Sequence, residues 1–175
     1  MTTMTNFGFG PASQNERIVF GARRPGYPRD PVQDWLAFMK GKEIRRVCCL
    51  LSQERLDCYD DLLGTYRRAF GAENVCWAPV EDFHLADADT LTGKILPFLL
   101  EADREQERVV VHCAGGLGRT GHVLAAWLVC GRGFSVEEAL SAVTQMGRNP
   151  WEAIEWGNAT EEELHALLRR CTPSL

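Results

Sequence analysis

What the 175-residue sequence lacks narrows the field before any motif is considered. No apolar run is long enough to cross a bilayer, so no membrane partner is expected. Met1 to Pro11 carries neither a basic segment nor an apolar core, so no secretory leader is expected. There is no Cys-x-x-Cys and no His-x-x-x-His pair, so no metal is expected, and no cofactor is expected either. Seven cysteines, an odd number at irregular spacing, give no disulfide framework. Cys48, Cys49, Cys76 and Cys130 lie inside apolar segments, which suggests reduced thiols and a cytoplasmic protein. Positive charge is scarce: 19 Lys and Arg stand against 24 Asp and Glu, a net charge of −5. Wholesale nucleic-acid binding is therefore not expected, and any positive site must be local. Repeats, linkers and low-complexity stretches are missing as well. The chain fits one domain over 1–175, with 1–15 an irregular N-terminal segment.

What is present alternates between strand and helix signals. Asn6–Phe9 and Arg17–Phe20 read as short strands of a hairpin, and Gly21–Arg29 as a loop. Asp30-Pro31 reads as the N-cap and first position of a helix. Ile44–Leu51 is a strand whose second half is apolar throughout, as in a parallel sheet covered on both faces. Helical spacing then runs from Leu56 to Phe70 and stops at Gly71. Asn74–Val80 reads as a strand, and Glu81–Thr90 as an acidic surface loop. Leu91–Leu100 reads as a helix that Pro97 should kink. Val109–His112 is a further strand. After it, Thr120–Gly131 is a strongly apolar helix, and capping boxes at Ser135 and Thr160 open two more. Strands alternating with helices argue for an α/β, three-layer domain with a mainly parallel central sheet flanked by helices.

The stretch that carries chemistry is Val109 to Gly121. Three valines run into His112-Cys113, then Ala114-Gly115-Gly116-Leu117-Gly118, then Arg119-Thr120-Gly121. A strand, an anion-sized turn and a helix start follow one another. A free thiol has a pKa of about 8.5 and is mostly protonated at neutral pH. A strand end, a loop of inward-pointing N–H groups and a helix N-terminus all favour the thiolate. The same N–H groups suit phosphate oxygens, so phosphate or another oxyanion is the expected guest. The glycines permit close approach. Arg119 offers a planar fork to two phosphoryl oxygens. Thr120 can donate its hydroxyl to sulfur, and His112 can hydrogen-bond the loop backbone. The bland alternative is a buried cysteine beside a glycine-rich turn. A Walker loop fits poorly, because no Gly-Lys-Ser/Thr follows.

His112-Cys113 through Arg119-Thr120-Gly121 resembles the signature of the cysteine-dependent protein tyrosine phosphatase superfamily, His-Cys-x5-Arg-Ser/Thr-Gly. The chain length and flanking segments resemble its dual-specificity branch. The resemblance implies a dual-specificity phosphatase-like fold, with Cys113 as nucleophile and Arg119 as phosphate ligand. His112, Ala114, Gly115, Gly116, Leu117, Gly118 and Thr120 complete the expected substrate-binding loop. A general acid is also required. The acidic loop offers Glu81, Asp82, Asp87 and Asp89. The family's aspartate follows a proline closely, and Pro79-Val80-Glu81-Asp82 matches that pattern best with Asp82, ahead of Asp87 and Glu81. A proline expected further along is replaced by Ala86-Asp87-Ala88. By the same resemblance Arg148 and Asn149 belong to a supporting loop near the substrate. Cys48 or Cys49 could resolve an oxidised Cys113, although small core residues are their commoner use.

The expected activity is hydrolysis of a phosphoprotein, phosphotyrosine with or without phosphoserine and phosphothreonine, through a cysteinyl-phosphate. No cation lies between Cys113 and Arg119, which speaks against a phosphoinositide phosphatase. The acidic balance speaks against an RNA 5′-phosphatase. A phosphate-binding adaptor without catalysis and a sulfur-transfer enzyme are the other readings.

Overall fold

The computed structural model describes residues 6–26 and 31–174. A five-stranded sheet organises the chain in the order β1-β2-β5-β3-β4. Its strands are β1 (Gly10–Pro11), β2 (Val19–Arg23), β3 (Ile44–Cys49), β4 (Val75–Trp77) and β5 (Arg108–Cys113). Only the β1–β2 pairing is antiparallel; β2–β5, β5–β3 and β3–β4 are parallel. The expected mainly parallel α/β architecture is therefore present.

The apolar strands lie in the middle because both of their faces are covered. Val109, Val110 and Val111 are fully buried, which contributes roughly 1.5–3 kcal/mol for each side chain. Val109, Val111 and Cys113 face one core, and Val110 faces the other. The second core is built by α1 (Val32–Gly41), α2 (Gln53–Leu56) and α3 (Leu62–Phe70). The first is built by α5 (Leu96–Arg104), α6 (Gly118–Arg132), α7 (Val136–Gln145) and α9 (Glu161–Arg169), with the short α8 (Glu152–Glu155) between the last two in the chain. Every residue of α6 from Gly118 to Val129 is buried, as its continuous apolar run implied. In β3, Ile44 and Val47 share a face although three positions separate them. A bulge between Ile44 and Arg46 absorbs the extra residue. Among the described residues no helix is long and apolar enough to cross a membrane.

Several local expectations need correction. The hairpin exists, but its first strand is Gly10–Pro11 rather than Asn6–Phe9, and its second continues through Arg23. Gly21 lies inside that strand because α6 crosses it closely: a Cβ there would sit 2.8 Å from both Leu124 Cδ1 and Thr120 Cγ2. Asp30 lies outside the described residues, and Pro31 occupies the N-cap of α1. The helix expected over 56–70 is two helices, α2 and α3. Ser52 caps the first, and Asp61, accepting from Gly64 N, starts the second. The helical spacing persisted across the break because Leu56, Leu62 and Tyr66 bury into one core. Burial, not continuity, set that pattern. The acidic loop ends early, where Asp87 caps α4 (Ala88–Thr90). The disturbance expected at Pro97 is a π-helical turn over Leu91–Ile95, just ahead of the proline. Both capping boxes are present, before α7 and α9.

Candidate active site

β5 ends at Cys113 and α6 begins at Gly118, so four residues connect a central strand to a buried helix. The Cys113 side chain is almost wholly buried. Its Sγ accepts hydrogen bonds from Gly116 N at 3.3 Å and Thr120 Oγ1 at 3.1 Å. Both bonds run toward sulfur, and a thiolate accepts them better than a thiol does. The loop glycines separate into different roles. Gly116 has φ +76, and a Cβ there would lie 2.7 Å from the carbonyl carbon of Ala22. Its neighbour is therefore the rigid backbone of β2. At Gly118 a Cβ would lie 2.1 Å from Glu152 Oε1, so the missing side chain leaves room for that carboxyl. Gly115 has nothing within 4 Å of an added Cβ.

His112 shapes the loop from below. Burial pushes its pKa down to about 4, so the ring is neutral at physiological pH. Nδ1 lies 3.2 Å from Cys113 O, and Nε2 lies 2.8 Å from the Tyr66 hydroxyl. A neutral ring satisfies both if Nδ1–H donates to the carbonyl and Nε2 accepts from Tyr66. Arg148, expected beside the substrate, is instead buried against the loop backbone. Its Nη1 donates to Gly116 O at 2.8 Å and its Nη2 to Gly10 O at 3.4 Å. Asn149 meets the loop through its backbone, with N donating to Leu117 O at 3.1 Å. Its side chain bonds Glu155 Oε1 and Trp151 N.

Arg119 is buried, with Nη1 donating to Val80 O at 3.0 Å and its Nε without a partner. Nη1 also lies 2.9 Å from Asp82 Oδ1, an ion-pair contact without hydrogen-bond alignment. The other Asp82 oxygen, Oδ2, accepts from Arg55 Nε at 3.0 Å and Nη2 at 2.6 Å. Of the acidic-loop candidates, Asp82 is the one that lines the cavity. Asp87 is occupied as a helix cap, accepting from Thr90 N and Oγ1. Glu81 and Asp89 are exposed.

A cavity of about 260 Å³ opens over Cys113, lined by the loop, Arg119, Asp82, Phe83, Arg24, Arg55 and Glu152. Arg55 and Glu152 were not singled out from the sequence. Burial holds the Glu152 carboxyl above its ordinary range, against the opposing pull of Arg119. His122 was also missed. Its Nε2 accepts from Ala86 N at 2.9 Å and its Nδ1 lies 3.1 Å from Gly118 O, which ties the acidic loop to the first turn of α6. That bond needs an N–H at Ala86, in the segment where the resemblance suggested proline. Cys49 points to the core on the opposite face of the sheet from Cys113, and burial pushes its thiol up to about 12. The neighbouring Cys76 thiol and burial hold the Cys48 thiol well above its ordinary range. Among the described residues no group of three or more His, Cys, Asp or Glu side chains could hold a metal ion.

A family model for the catalytic domain of dual-specificity phosphatases matches residues 37–155, which span β3, β5, the loop and α6. The chain belongs to the dual-specificity phosphatase family. It therefore falls within the cysteine-dependent protein tyrosine phosphatase superfamily. It is 32% identical over 69 residues to dual specificity protein phosphatase 5 of Rattus norvegicus, a match covering 39% of this chain and 18% of that protein. The chain thus matches under a fifth of that relative's length. The solved structure of Tk-PTP in its active form has a TM-score of 0.68 and 26% identity, covering 92% of this chain and 96% of that one. The structure of PTPMT1 in complex with PI(5)P has a TM-score of 0.71 and 15% identity, covering 93% and 96%, and shares the fold. The dual-specificity phosphatase fold thus carries the signature loop here at the carboxyl end of a central parallel strand.

Proposed function

We propose that this chain is a phosphoprotein phosphatase acting on phosphotyrosine, and with it phosphoserine and phosphothreonine, through a cysteinyl-phosphate. One observation carries the reading. The Cys113 sulfur accepts from Gly116 N and Thr120 Oγ1 beside a buried Arg119 whose Nε has no partner. A buried guanidinium N–H with no protein acceptor is a donor suited to a phosphoryl oxygen.

In the first step Cys113 Sγ attacks phosphorus in line and the bond to the ester oxygen breaks. Arg119 and the loop amides take the equatorial oxygens, whose charge grows at the transition state. Asp82 protonates the departing oxygen. Water then attacks the cysteinyl-phosphate, Asp82 takes its proton, and the thiolate leaves with the Thr120 hydroxyl donating to it. His112, Tyr66 and Arg148 hold the loop backbone in shape. The seven cysteines, all free, fit a reducing compartment such as the cytoplasm.

A phosphoinositide is the second reading. It is favoured by Arg24 and Arg55, which flank the cavity although the loop itself carries no cation between Cys113 and Arg119. Phosphate release from phosphopeptides, inositol lipids and RNA ends separates the substrate classes. Turnover should be highest on phosphopeptides; turnover confined to inositol lipids or RNA ends would replace the phosphoprotein reading. Cys113→Ser should abolish turnover and retain substrate binding, whereas a variant that works at the wild-type rate refutes a cysteinyl-phosphate.

A further inference from the structure

The two chemical steps give Arg55 no task, yet Arg55 makes the shorter of the two guanidinium contacts on Asp82. Its Nε and Nη2 both reach one oxygen of Asp82, Oδ2, at 3.0 and 2.6 Å. The other oxygen, Oδ1, faces Arg119 Nη1 at 2.9 Å. One carboxylate is thus held between two guanidiniums, one of which is also needed by phosphate. Glu54 and Cys58 near Arg55, Glu81 and His84 in the acidic loop, and Arg24, Cys113 and Glu152 around the cavity complete the ionisable surroundings of this pair.

We propose that Arg55 is a positioning residue that tethers Asp82 through the cycle and decides which of its oxygens carries the proton. This role rests on the phosphatase reading above. When a phosphate dianion enters, it outcompetes a single carboxylate oxygen for the planar fork of Arg119, and Oδ1 is released. Oδ2 stays on Arg55. The freed carboxylate takes a proton from solvent, and because Oδ2 already accepts two N–H groups that proton rides on Oδ1, the oxygen that faced Arg119. As the S–P bond forms and the P–O bond breaks, that proton passes to the leaving oxygen. The negative charge left on Asp82 is then met by the Arg55 guanidinium already in contact with it. In the second step the proton of the attacking water returns to Oδ1.

The chain builds this tether from one short stretch. Leu50 O accepts from Val80 N at 3.0 Å, which anchors the acidic loop at the exit of β3. Two residues later Ser52 Oγ caps α2 by accepting from Arg55 N at 3.4 Å. Anchor and clamp therefore share a base, and Arg55 meets Asp82 across 27 positions of sequence.

The test compares wild type, Arg55→Gln and Arg55→Lys on aryl phosphates of graded leaving-group basicity. A poor leaving group needs its proton and a good one needs it less. In Arg55→Gln, kcat should fall about tenfold or more on the poorest leaving group and stay within about threefold on the best, a positioning loss rather than a binding loss. Inhibition by inorganic phosphate should stay within about threefold, because Arg119 still binds it. Arg55→Lys should recover part of the loss. Adding Arg55→Gln to Asp82→Asn should cost nothing further, since one residue acts through the other. An equal loss on every leaving group, weakened phosphate inhibition with kcat unchanged, or additive losses with Asp82→Asn would each overturn the role. Wild-type protein that releases no phosphate from any of these esters overturns the phosphatase reading itself, an outcome distinct from an unselective Arg55 variant.

Discussion

Gly116→Ala tests the geometry of the loop most directly. The new residue would have to hold φ +76, which costs a non-glycine residue roughly 1–2 kcal/mol. Its methyl would lie 2.7 Å from Ala22 C and 2.8 Å from both Ala22 O and Arg23 N. Those atoms are backbone of a strand paired to β5, with Ala22 opposite His112, so they cannot swing aside as a flexible side chain would. Crowding of this kind costs about 1–3 kcal/mol more. The sum is about 2–5 kcal/mol, or a fall in melting temperature of roughly 4–20 °C for a chain of this size. If the loop moves away to relieve the clash, the stability loss shrinks. The Gly116 N–H to Cys113 Sγ bond and the Arg148 bond to Gly116 O are then lost, and phosphate release collapses. Gly115→Ala is the control, with nothing within 4 Å of its new methyl, and should change stability by less than about 0.5 kcal/mol. Thermal melts and phosphate release on both variants decide the matter. A Gly116→Ala protein with wild-type melting and wild-type turnover would overturn this account of the loop, as would a Gly115→Ala protein destabilised to the same extent.

Two further outcomes follow from the buried ionisable groups. His112 and His122 are held down to about 4 from an ordinary 6.5, so the unfolded chain binds protons that the folded chain refuses. Their contribution to stability is whole above pH 6.5 and is lost as pH falls toward 4, by on the order of 2–3 kcal/mol each. Urea denaturation at pH 7 and pH 4.5 should show that fall, and His122→Gln should reduce it. Equal pH dependence in wild type and variant would remove His122 from the explanation. Glu152, held above its ordinary range by burial, adds negative charge to the wall of an anion cavity. Glu152→Gln should therefore tighten inhibition by inorganic phosphate several-fold at pH 7.5, on the order of a surface charge pair. The difference should shrink as pH falls and the wild-type carboxyl protonates. Unchanged inhibition at both pH values would show that Glu152 does not face the bound anion.

The centre of this protein is legible in one contiguous stretch of the chain. A β-branched run into His112-Cys113, a glycine-rich turn and Arg119-Thr120 are contiguous, so strand, loop and helix start follow from local rules and their order needs no tertiary knowledge. The apolar half of β3, the buried α6 and both capping boxes were legible for the same reason: each is a pattern within about ten residues. The split between α2 and α3 was not, because the apolar spacing reports a shared core and is blind to the break. Partners far apart in the chain were brought together by the fold alone. Asp82 meets Arg55 across 27 positions, Arg148 meets Gly116 across 32, and Ala86 meets His122 across 36. Those meetings are set by the strand order, which lays β5 between β2 and β3 and brings the acidic loop over the helix start. The sheet therefore chose which carboxylate lines the cavity, and it turned Arg148 from an expected substrate contact into a support for the loop backbone.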